Sequence, residues 1–212
     1  CIDLEFDPKE HKDIYQHILQ VLDQTPAKLA LRWTAILHDI AKPLTRQKIG
    51  NDFHFLGLEV VGARLSKVIL KRLKYPNDFV NYVSKIVFLH QRLPNNDGHW
   101  TDGAVRRFVR DAGETLEDLF LFAAAERNIL RYAHMRQELY DRIIELNRQS
   151  EIAKIKSPLS GEELMEIFKR PPGPWIRPIK DELLRRVLEG ELNEDDKSTA
   201  EIIAKQFLKT LK

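Results

Sequence analysis

Cysteine is nearly absent from this 212-residue sequence, which contains only Cys1. A single thiol forms neither an intramolecular disulfide nor a zinc site built from several thiolates, and such usage is typical of a reducing cytoplasm. Long apolar runs are also lacking, since none reaches the roughly 18 residues that a membrane-spanning helix requires. No secretory signal is visible. We therefore expect a cytoplasmic protein that does not enter a membrane.

A strong net charge is lacking as well, because 34 lysines and arginines nearly balance 32 acidic residues, leaving +2 at pH 7. Overall charge therefore does not mark the chain as a nucleic-acid-binding protein, although local basic faces are compatible with that function. Because the sequence begins with Cys1 rather than methionine, we expect its natural start to lie upstream, which leaves room for a preceding domain.

Apolar residues recur three and four positions apart along nearly the whole chain, whereas alternating strand patterns form no convincing series. This periodicity predicts an all-α protein. Turn and capping residues predict helices at about residues 11–23, 27–40, 57–74, 77–92, 102–113, 115–148, 175–189 and 193–211, with a short further helix after a capping box of Ser160 and Glu163. Loops are predicted at residues 44–56 and 94–98. A change of texture near residue 150 predicts a helical bundle at residues 1–150 and a smaller helical tail at residues 151–212.

Five polar residues lie where the helical pattern calls for a buried apolar side chain. His17 lies on the apolar stripe of the first helix, His38 and Asp39 lie on the nearly all-apolar second helix, and His90 and Glu126 share the apolar faces of two later helices. Burial of such groups costs free energy unless they find partners. We therefore expect these side chains to meet inside the fold.

A divalent metal ion is one partner that would satisfy this set. His17, His38, Asp39 and Glu126 offer two imidazoles and two carboxylates, and such mixed ligation suits magnesium or a transition ion, so Mg, Mn, Ni, Co, Fe and Zn all stay open. The ion would neutralise the acids, activate a water and polarise a phosphoryl oxygen. His90 is a candidate to act on substrate, and Lys42, one turn past His38, could hold a phosphate.

Each of these residues also has an ordinary structural interpretation. A histidine on an apolar face is more often a hydrogen-bonded core residue than a ligand, and Glu126 could pair with Arg127 or Arg131. Lys42 could serve only as a partner of the helix dipole. The combination of the five, rather than any one of them, favours a metal site.

A resemblance to a known family supports this interpretation. The segments His11–His17 and His38–Pro43 resemble the HD phosphohydrolase superfamily, and more narrowly the HD domain of bacterial CCA-adding enzymes and poly(A) polymerases. The narrower likeness continues through Phe55–Ala63, Tyr75–Asp78, Val105–Arg110, Pro172–Pro174 and Ile179–Lys180. It covers nearly the whole chain, and these motifs together are far more specific than a histidine-aspartate pair alone.

The resemblance implies roles for individual residues. His17, His38 and Asp39 match the first three metal positions of the superfamily, while Glu126 stands where the fourth ligand is usually aspartate. Leu58 is a second departure, since similar proteins often carry histidine there. The glycine-serine motif and aspartate pair of the family's polymerase head do not occur here, so the resemblance implies a head encoded upstream or on another chain, and no nucleotide addition by this chain alone.

In similar enzymes the helices after the HD domain hold tRNA. The resemblance therefore implies an RNA-binding surface, for which the basic candidates are Arg64, Lys71, Arg106, Arg107, Arg110 and Lys180. Phosphate contacts by such residues would fix the register on a folded RNA rather than read its sequence. The alternative for these residues is a solvated face balanced by acids.

Three functions follow. The first is a metal-dependent phosphohydrolase acting on nucleotide or RNA-end phosphoesters, such as 2′,3′-cyclic phosphates. The second is a tRNA-binding module, with tRNA or an RNA 3′ end as partner, whose HD site is vestigial. The third is a helical scaffold whose inward polar groups form a closed hydrogen-bond network. The first two are compatible with each other.

Overall fold

The computed structural model describes residues 5–7, 12–50, 52–93, 100–127, 137–146 and 152–210. The helices are α1 (Ile14–Gln24), α2 (Leu29–Leu37), α3 (Lys42–Thr45), α4 (Leu58–Arg72), α5 (Asn77–Leu89), α6 (Asp102–Ala112), α7 (Leu116–Arg127), α8 (residues 137–146), α9 (Gly161–Phe168), α10 (Ile176–Glu189) and α11 (Lys197–Thr210). The strands are β1 (Glu5–Asp7), β2 (Lys12–Asp13), β3 (Arg46–Ile49) and β4 (Asp52–Phe55). The all-α class predicted from the sequence is confirmed.

Two compact units make up the chain. The first consists of residues 1–97 and 114–138, and the second of residues 98–113 and 139–212. In the first unit α1, α2, α5 and α7 pack on one another and α4 packs along α5. The bundle at residues 1–150 and the tail at 151–212 stay a prediction about domains, since a compact unit need not fold on its own.

The core between α2, α4 and α5 is built from small and branched apolar side chains. Its buried members are Ala30, Leu37, Leu70, Val80, Val83 and Val87. Each of these three helices thus turns an apolar face toward the others, as the three-and-four spacing predicts. This packing helps to fix the end of α2, after which the buried polar residues His38 and Asp39 follow.

Several helix boundaries differ from those predicted. α1 begins at Ile14 rather than near His11, because the Asp13 side chain accepts a hydrogen bond from the backbone N–H of Gln16 and caps the helix. Likewise α11 begins at Lys197 rather than near residue 193, since Asp196 accepts the N–H of Thr199 at 3.0 Å. Local capping bonds therefore set both starts.

The segment predicted as a loop at residues 44–56 contains the end of the short helix α3 and a strand pair. β3 and β4 are antiparallel, with Arg46 opposite Phe55 and Ile49 opposite Asp52. The Arg46 guanidinium lies 3.6 Å from the centre of the Phe53 ring, a cation–π contact that joins the two strands. The predicted loop at residues 94–98 and the middle of the predicted long helix, residues 128–136, lie outside the described residues.

A buried carboxylate ties three helices of the first unit together. Asp118 of α7 accepts hydrogen bonds from Lys28, just before α2, and from the Tyr82 hydroxyl of α5, both at 2.8 Å. Only 3% of the Asp118 side chain is exposed. Burial and the bond to Asp118 raise the pKa of the Tyr82 hydroxyl.

Replacement of this carboxylate should weaken the fold. We expect Asp118→Ala to lower the free energy of unfolding by about 1–3 kcal/mol, because it leaves two donors without their acceptor. Urea denaturation would measure the loss. Asp23→Ala, which removes an exposed acid of α1, is the control and should stay within about 0.5 kcal/mol of the parent. Equal stability of the two variants would contradict the role given to Asp118.

In the second unit α10 packs on α6, α9 and α11. The core there contains Leu159, Leu164, Ile179, Leu183, Leu192, Ala200 and Ala204. The predicted capping box is confirmed: the Ser160 hydroxyl accepts the N–H of Glu163, and the Glu163 carboxylate accepts the N–H of Ser160. Gly190 ends α10 in the left-handed conformation, as expected of a C-terminal cap.

The contact between α6 and α10 requires a glycine. A Cβ atom at Gly103 would lie 2.8 Å from Cγ and 2.9 Å from Cα of Glu189, which is too close for real atoms. We expect Gly103→Ala to destabilise the protein by about 1–3 kcal/mol through overpacking. Gly161→Ala is the matched control, since its Cβ would meet Ile176 at an ordinary 3.6 Å. Thermal unfolding of both variants tests this, and an unchanged melting temperature for Gly103→Ala would refute it.

Among the described residues, no helix combines the length and the apolar character needed to cross a lipid bilayer.

Candidate functional site

Two imidazoles and a carboxylate meet where α1 faces the end of α2. The Nε2 atoms of His17 and His38 are 3.2 Å apart. Oδ2 of Asp39 lies 3.2 Å from the His38 Nε2 and 3.6 Å from the His17 Nε2. His17 comes from α1, while His38 and Asp39 follow directly after the last residue of α2. We call these three side chains the histidine-aspartate cluster.

The spacing of the cluster fits a metal ion. Ligand atoms that each lie about 2.1 Å from one ion are separated by roughly 3.0–3.4 Å in tetrahedral or octahedral geometry. The three observed separations, 3.2, 3.2 and 3.6 Å, fall at or near this range. The spacing of these three atoms is therefore compatible with binding one divalent cation.

Backbone carbonyls orient two of the histidines. Nδ1 of His38 lies 2.8 Å from the carbonyl oxygen of Ala35, and Nδ1 of His90 lies 2.6 Å from that of Val87. Because a carbonyl can only accept, Nδ1 carries the proton in both rings and Nε2 is directed elsewhere. Metal-binding histidines commonly donate their second nitrogen in this way, which fixes the tautomer and the orientation of the ring.

His90 lies beside the cluster, and the charge of Glu126 acts on His17 and His38. Among the described residues, however, the side chains close enough to share one ion are His17, His38 and Asp39, without His90 or Glu126. The rings of His38 and His90 are 5.5 Å apart, and Phe122 of α7 packs edge-on against both. Nε2 of His90 and Oε2 of Glu126 are buried and have no hydrogen-bond partner among the described residues. Since buried polar atoms in proteins are nearly always satisfied, these two atoms are candidates to bind an additional group, and the chemistry of the donor set fits a cation.

Burial and mutual charge set the protonation of these groups. Burial, followed by the charge of the neighbouring His38, lowers the pKa of His17 to about 4, against the opposing attraction to Asp39. Burial also lowers the pKa of His38, but attraction to Asp39, the hydrogen bond with it and the charge of Glu126 outweigh burial and raise it overall. The Asp39 carboxyl, although buried, has its pKa held well below the usual range by His38 and Lys42. Burial lowers the pKa of His90.

Lys42 already contacts the cluster. Its ammonium nitrogen lies 2.6 Å from Oδ2 of Asp39, and only 11% of its side chain is exposed. It also lies 5.6 Å from the centre of the Phe55 ring. The lysine therefore places a positive charge on the carboxylate oxygen that faces the two histidines. Sequence reasoning gave Lys42 a phosphate-binding role and did not anticipate this ion pair.

The basic residues chosen as RNA-binding candidates lie in different surroundings. Arg64 and Lys71 are exposed on α4, and Lys180 is half-buried on α10. Arg106 donates to the carbonyl of Leu188. The other two α6 residues are also engaged within the second unit, Arg107 with Glu189 and Arg110 with the carbonyl of Ile155. Phosphate binding by these six residues stays a prediction.

The α4 cations differ from those on α6. Arg64, Lys67 and Lys71 recur at a spacing of three and four, opposite the buried face made by Gly62, Ser66 and Leu70. All three are exposed and have no acidic partner among the described residues. Lys85 and Phe88 lie on the adjoining α5 and were not among the candidates chosen from the sequence; Phe88 is 40% exposed.

Comparison with known proteins gives a consistent result. Residues 58–203 match the family described as tRNA nucleotidyltransferase domain 2. The chain is 32% identical over 192 residues to a CC-adding tRNA nucleotidyltransferase of Thermus thermophilus, covering 87% of this chain and 41% of that protein. It is also 32% identical over 196 residues to an A-adding tRNA nucleotidyltransferase of Deinococcus radiodurans, covering 84% and 42%. The chain thus spans about two fifths of these relatives. No solved structure matches it.

Proposed function

Because the chain belongs to the tRNA nucleotidyltransferase domain 2 family, we propose that it is the RNA-holding part of a protein that acts on tRNA. The observation that supports this beyond the family is the exposed row of Arg64, Lys67 and Lys71 on α4, for which the described residues supply no acidic partner. Such a row matches a phosphate backbone, whose negative charges recur regularly. Binding is favoured because it releases counterions from the phosphates. Nucleotide addition is assigned to a separate head, not to this chain.

Salt dependence tests the RNA-holding function. We expect tRNA to bind with an affinity that falls steeply as salt rises from 50 to 200 mM, since each phosphate contact adds about 0.9 to the slope of log affinity against log salt. Neutralising two contacts in Arg64→Gln/Lys71→Gln should reduce the slope by up to about 1.8. Lys205→Gln/Lys209→Gln on α11 changes the charge equally and should leave the slope alone.

An affinity that does not change with salt, or that responds equally to both double variants, would rule out RNA holding through α4. Filter binding at several salt concentrations supplies both readouts. A stem-loop that reproduces only the acceptor arm, tested beside intact tRNA, would show whether the 3′ end is the part that is held.

A second function is favoured by the histidine-aspartate cluster: metal-dependent hydrolysis of a phosphoester. His17, His38 and Asp39 would hold the ion, since their ligand atoms lie within 4.8 Å of one another. Glu126 is outside this group but is the candidate fourth ligand, because its buried Oε2 has no hydrogen-bond partner among the described residues. The ion would supply a Lewis acid for the phosphoryl oxygen. Lys42 would hold a phosphate oxygen, and the buried His90 would contact the substrate from the side of α5. Nucleotide 2′,3′-cyclic phosphates and RNA-end monoesters are the substrate classes that this arrangement suits.

Release of product from a 2′,3′-cyclic nucleotide in the presence of Mg²⁺, Mn²⁺, Ni²⁺, Co²⁺, Fe²⁺ or Zn²⁺ would test hydrolysis. We expect turnover with at least one ion and its loss in His38→Ala, whereas His54→Ala, a change at an exposed histidine of β4, keeps it. If none of these ions supports turnover, hydrolysis is ruled out and RNA holding is the function that remains.

A further inference from the structure

A groove runs between α4 and α5 in the first unit. It encloses about 610 Å³, and its walls carry Val60, Arg64 and Lys67 from α4 and Asn81, Lys85 and Phe88 from α5. The volume lies within the usual range for sites that hold small organic ligands, about 300–1,000 Å³. The histidine-aspartate cluster contributes no residue to this lining, so the groove is a separate feature of the same unit.

Small residues bring the two helices close below the groove. A Cβ atom at Gly62 would lie 3.4 Å from Val87 and 3.8 Å from Ala41, which are ordinary contact distances, so α4 and α5 are closely packed at this point. Ala63 and Ser84 line the groove beside this contact. The Ser84 hydroxyl donates to the carbonyl of Val80 at 2.6 Å. The groove therefore lies over closely packed helices, and its lining combines small side chains with long ones.

Positive charges and exposed apolar side chains both line the groove. Arg64, Lys67 and Lys85 bring three positive charges, no acidic residue lines the groove, and none of the three has an ion-pair partner in the described parts of the chain. Phe88 is 40% exposed and Val60 57% exposed beside them. Lys28, by contrast, pairs with the carboxylate of Asp118. The groove lacks a balancing acid of this kind among the described residues.

We propose that this groove binds an unstacked nucleotide segment of the RNA, with its phosphates on Arg64, Lys67 and Lys85 and a base against Phe88. The inference rests on the RNA-holding function proposed above and adds which part of an RNA is held and where. A base pair inside a duplex cannot reach an aromatic ring in a groove, whereas single-stranded RNA presents free base faces together with a flexible chain of phosphates. Cations that flank an exposed aromatic ring match this ligand better than they match a uniformly charged polymer.

The test uses the whole chain and a fluorescent single-stranded hexaadenylate as probe. We expect Phe88→Ala to weaken binding about tenfold, since stacking on an aromatic side chain contributes strongly and tolerates any base. Lys85→Gln should weaken binding and lower the salt slope by about 0.7, the value for one phosphate contact on a single strand. Tyr15→Ala is the matched control, because Tyr15 is also 40% exposed but lies on α1.

Each alternative outcome has a distinct meaning. If tRNA binds with the expected salt dependence but Phe88→Ala and Lys85→Gln bind hexaadenylate like the parent, the groove proposal is wrong and RNA holding stands. If neither RNA binds, both proposals fail. A hexaglutamate peptide that binds more tightly than hexaadenylate, and loses affinity in Lys85→Gln, would overturn the RNA assignment in favour of an acidic protein segment.

Folding must be checked in the same variants. Phe88 and Lys85 lie at the surface rather than in the core, so both variants should melt within a few degrees of the parent. A second measurement does not depend on affinity: hexanucleotide carrying 5-iodouridine should crosslink, on irradiation, to a peptide containing Phe88. Crosslinks confined to other peptides would contradict the proposal even if the affinities fell.

Discussion

Asp39→Asn is expected to lower the affinity of the chain for Mn²⁺ or Ni²⁺ by at least about 100-fold. The change keeps the size of the side chain but removes the charge of the oxygen that lies 3.2 Å from His38 and 3.6 Å from His17. Loss of a partner outside the ligand shell already costs about 10–100-fold in metal affinity, so loss of a charged ligand should cost no less. Calorimetric titration of the metal alone measures the affinity directly.

The same change should abolish the stabilisation that the metal gives. An ion present at 100 times its dissociation constant stabilises the folded state by about 2.7 kcal/mol, so the parent should melt at a higher temperature with metal than with chelator. Asp39→Asn should show little difference between the two conditions. Asp23→Asn, an exposed acid on α1, is the control. Equal metal affinities of Asp39→Asn and Asp23→Asn would show that the ion does not bind at the histidine-aspartate cluster.

Local sequence signals predicted much of the fold correctly. The pairing of Ser160 with Glu163 and the glycine at position 190 act within one helical turn, so their effect can be inferred without the rest of the chain. The β3–β4 pair was missed because Gln47, Lys48 and Ile49 are all exposed and give no apolar alternation. The glycine-asparagine pair between the strands was the available signal.

Tertiary contacts could not be predicted from such local signals. Nothing near Gly103 in the sequence predicts that the backbone of Glu189 will fill the space of its missing side chain. The α6 arginines illustrate the same limit, since a basic run on a helix is equally typical of an RNA-binding face and of a face that bonds to a neighbouring helix. Their contacts with Leu188 and Glu189 depend on α10, which lies far along the chain.

For the candidate site, the helical periodicity predicted which side chains point into the core, but not the distances between them. Placing His17, His38 and Asp39 on buried faces required only the three-and-four spacing, and the structure puts the three side chains together. Whether their separations suit an ion depends on how α1 packs against α2, which no local pattern specifies. The sequence also could not predict that the carbonyls of Ala35 and Val87 bind the histidine rings, because every residue has a carbonyl.

Removal of the Lys42 charge should strengthen metal binding while it weakens hydrolysis. The ammonium lies 2.6 Å from Oδ2 of Asp39, so it competes with a cation for that oxygen and repels any ion placed there. Two unit charges about 4 Å apart near a protein surface interact by roughly 4 kcal/mol, of which hydration and relaxation recover a large part. We therefore expect Lys42→Gln to bind Mn²⁺ about tenfold more tightly.

The rate of hydrolysis should fall in Lys42→Gln, because the Lys42 ammonium is the candidate group that binds the substrate phosphate. Lys42→Gln should raise the KM for a 2′,3′-cyclic nucleotide even at saturating metal, a split that a change in stability alone would not produce. Lys48→Gln, at an exposed lysine of β3, is the control for the lost charge. Weaker binding of Mn²⁺ by Lys42→Gln than by the parent would contradict this prediction. It would show that the lysine stabilises the metal-bound site instead of competing with the ion for Asp39.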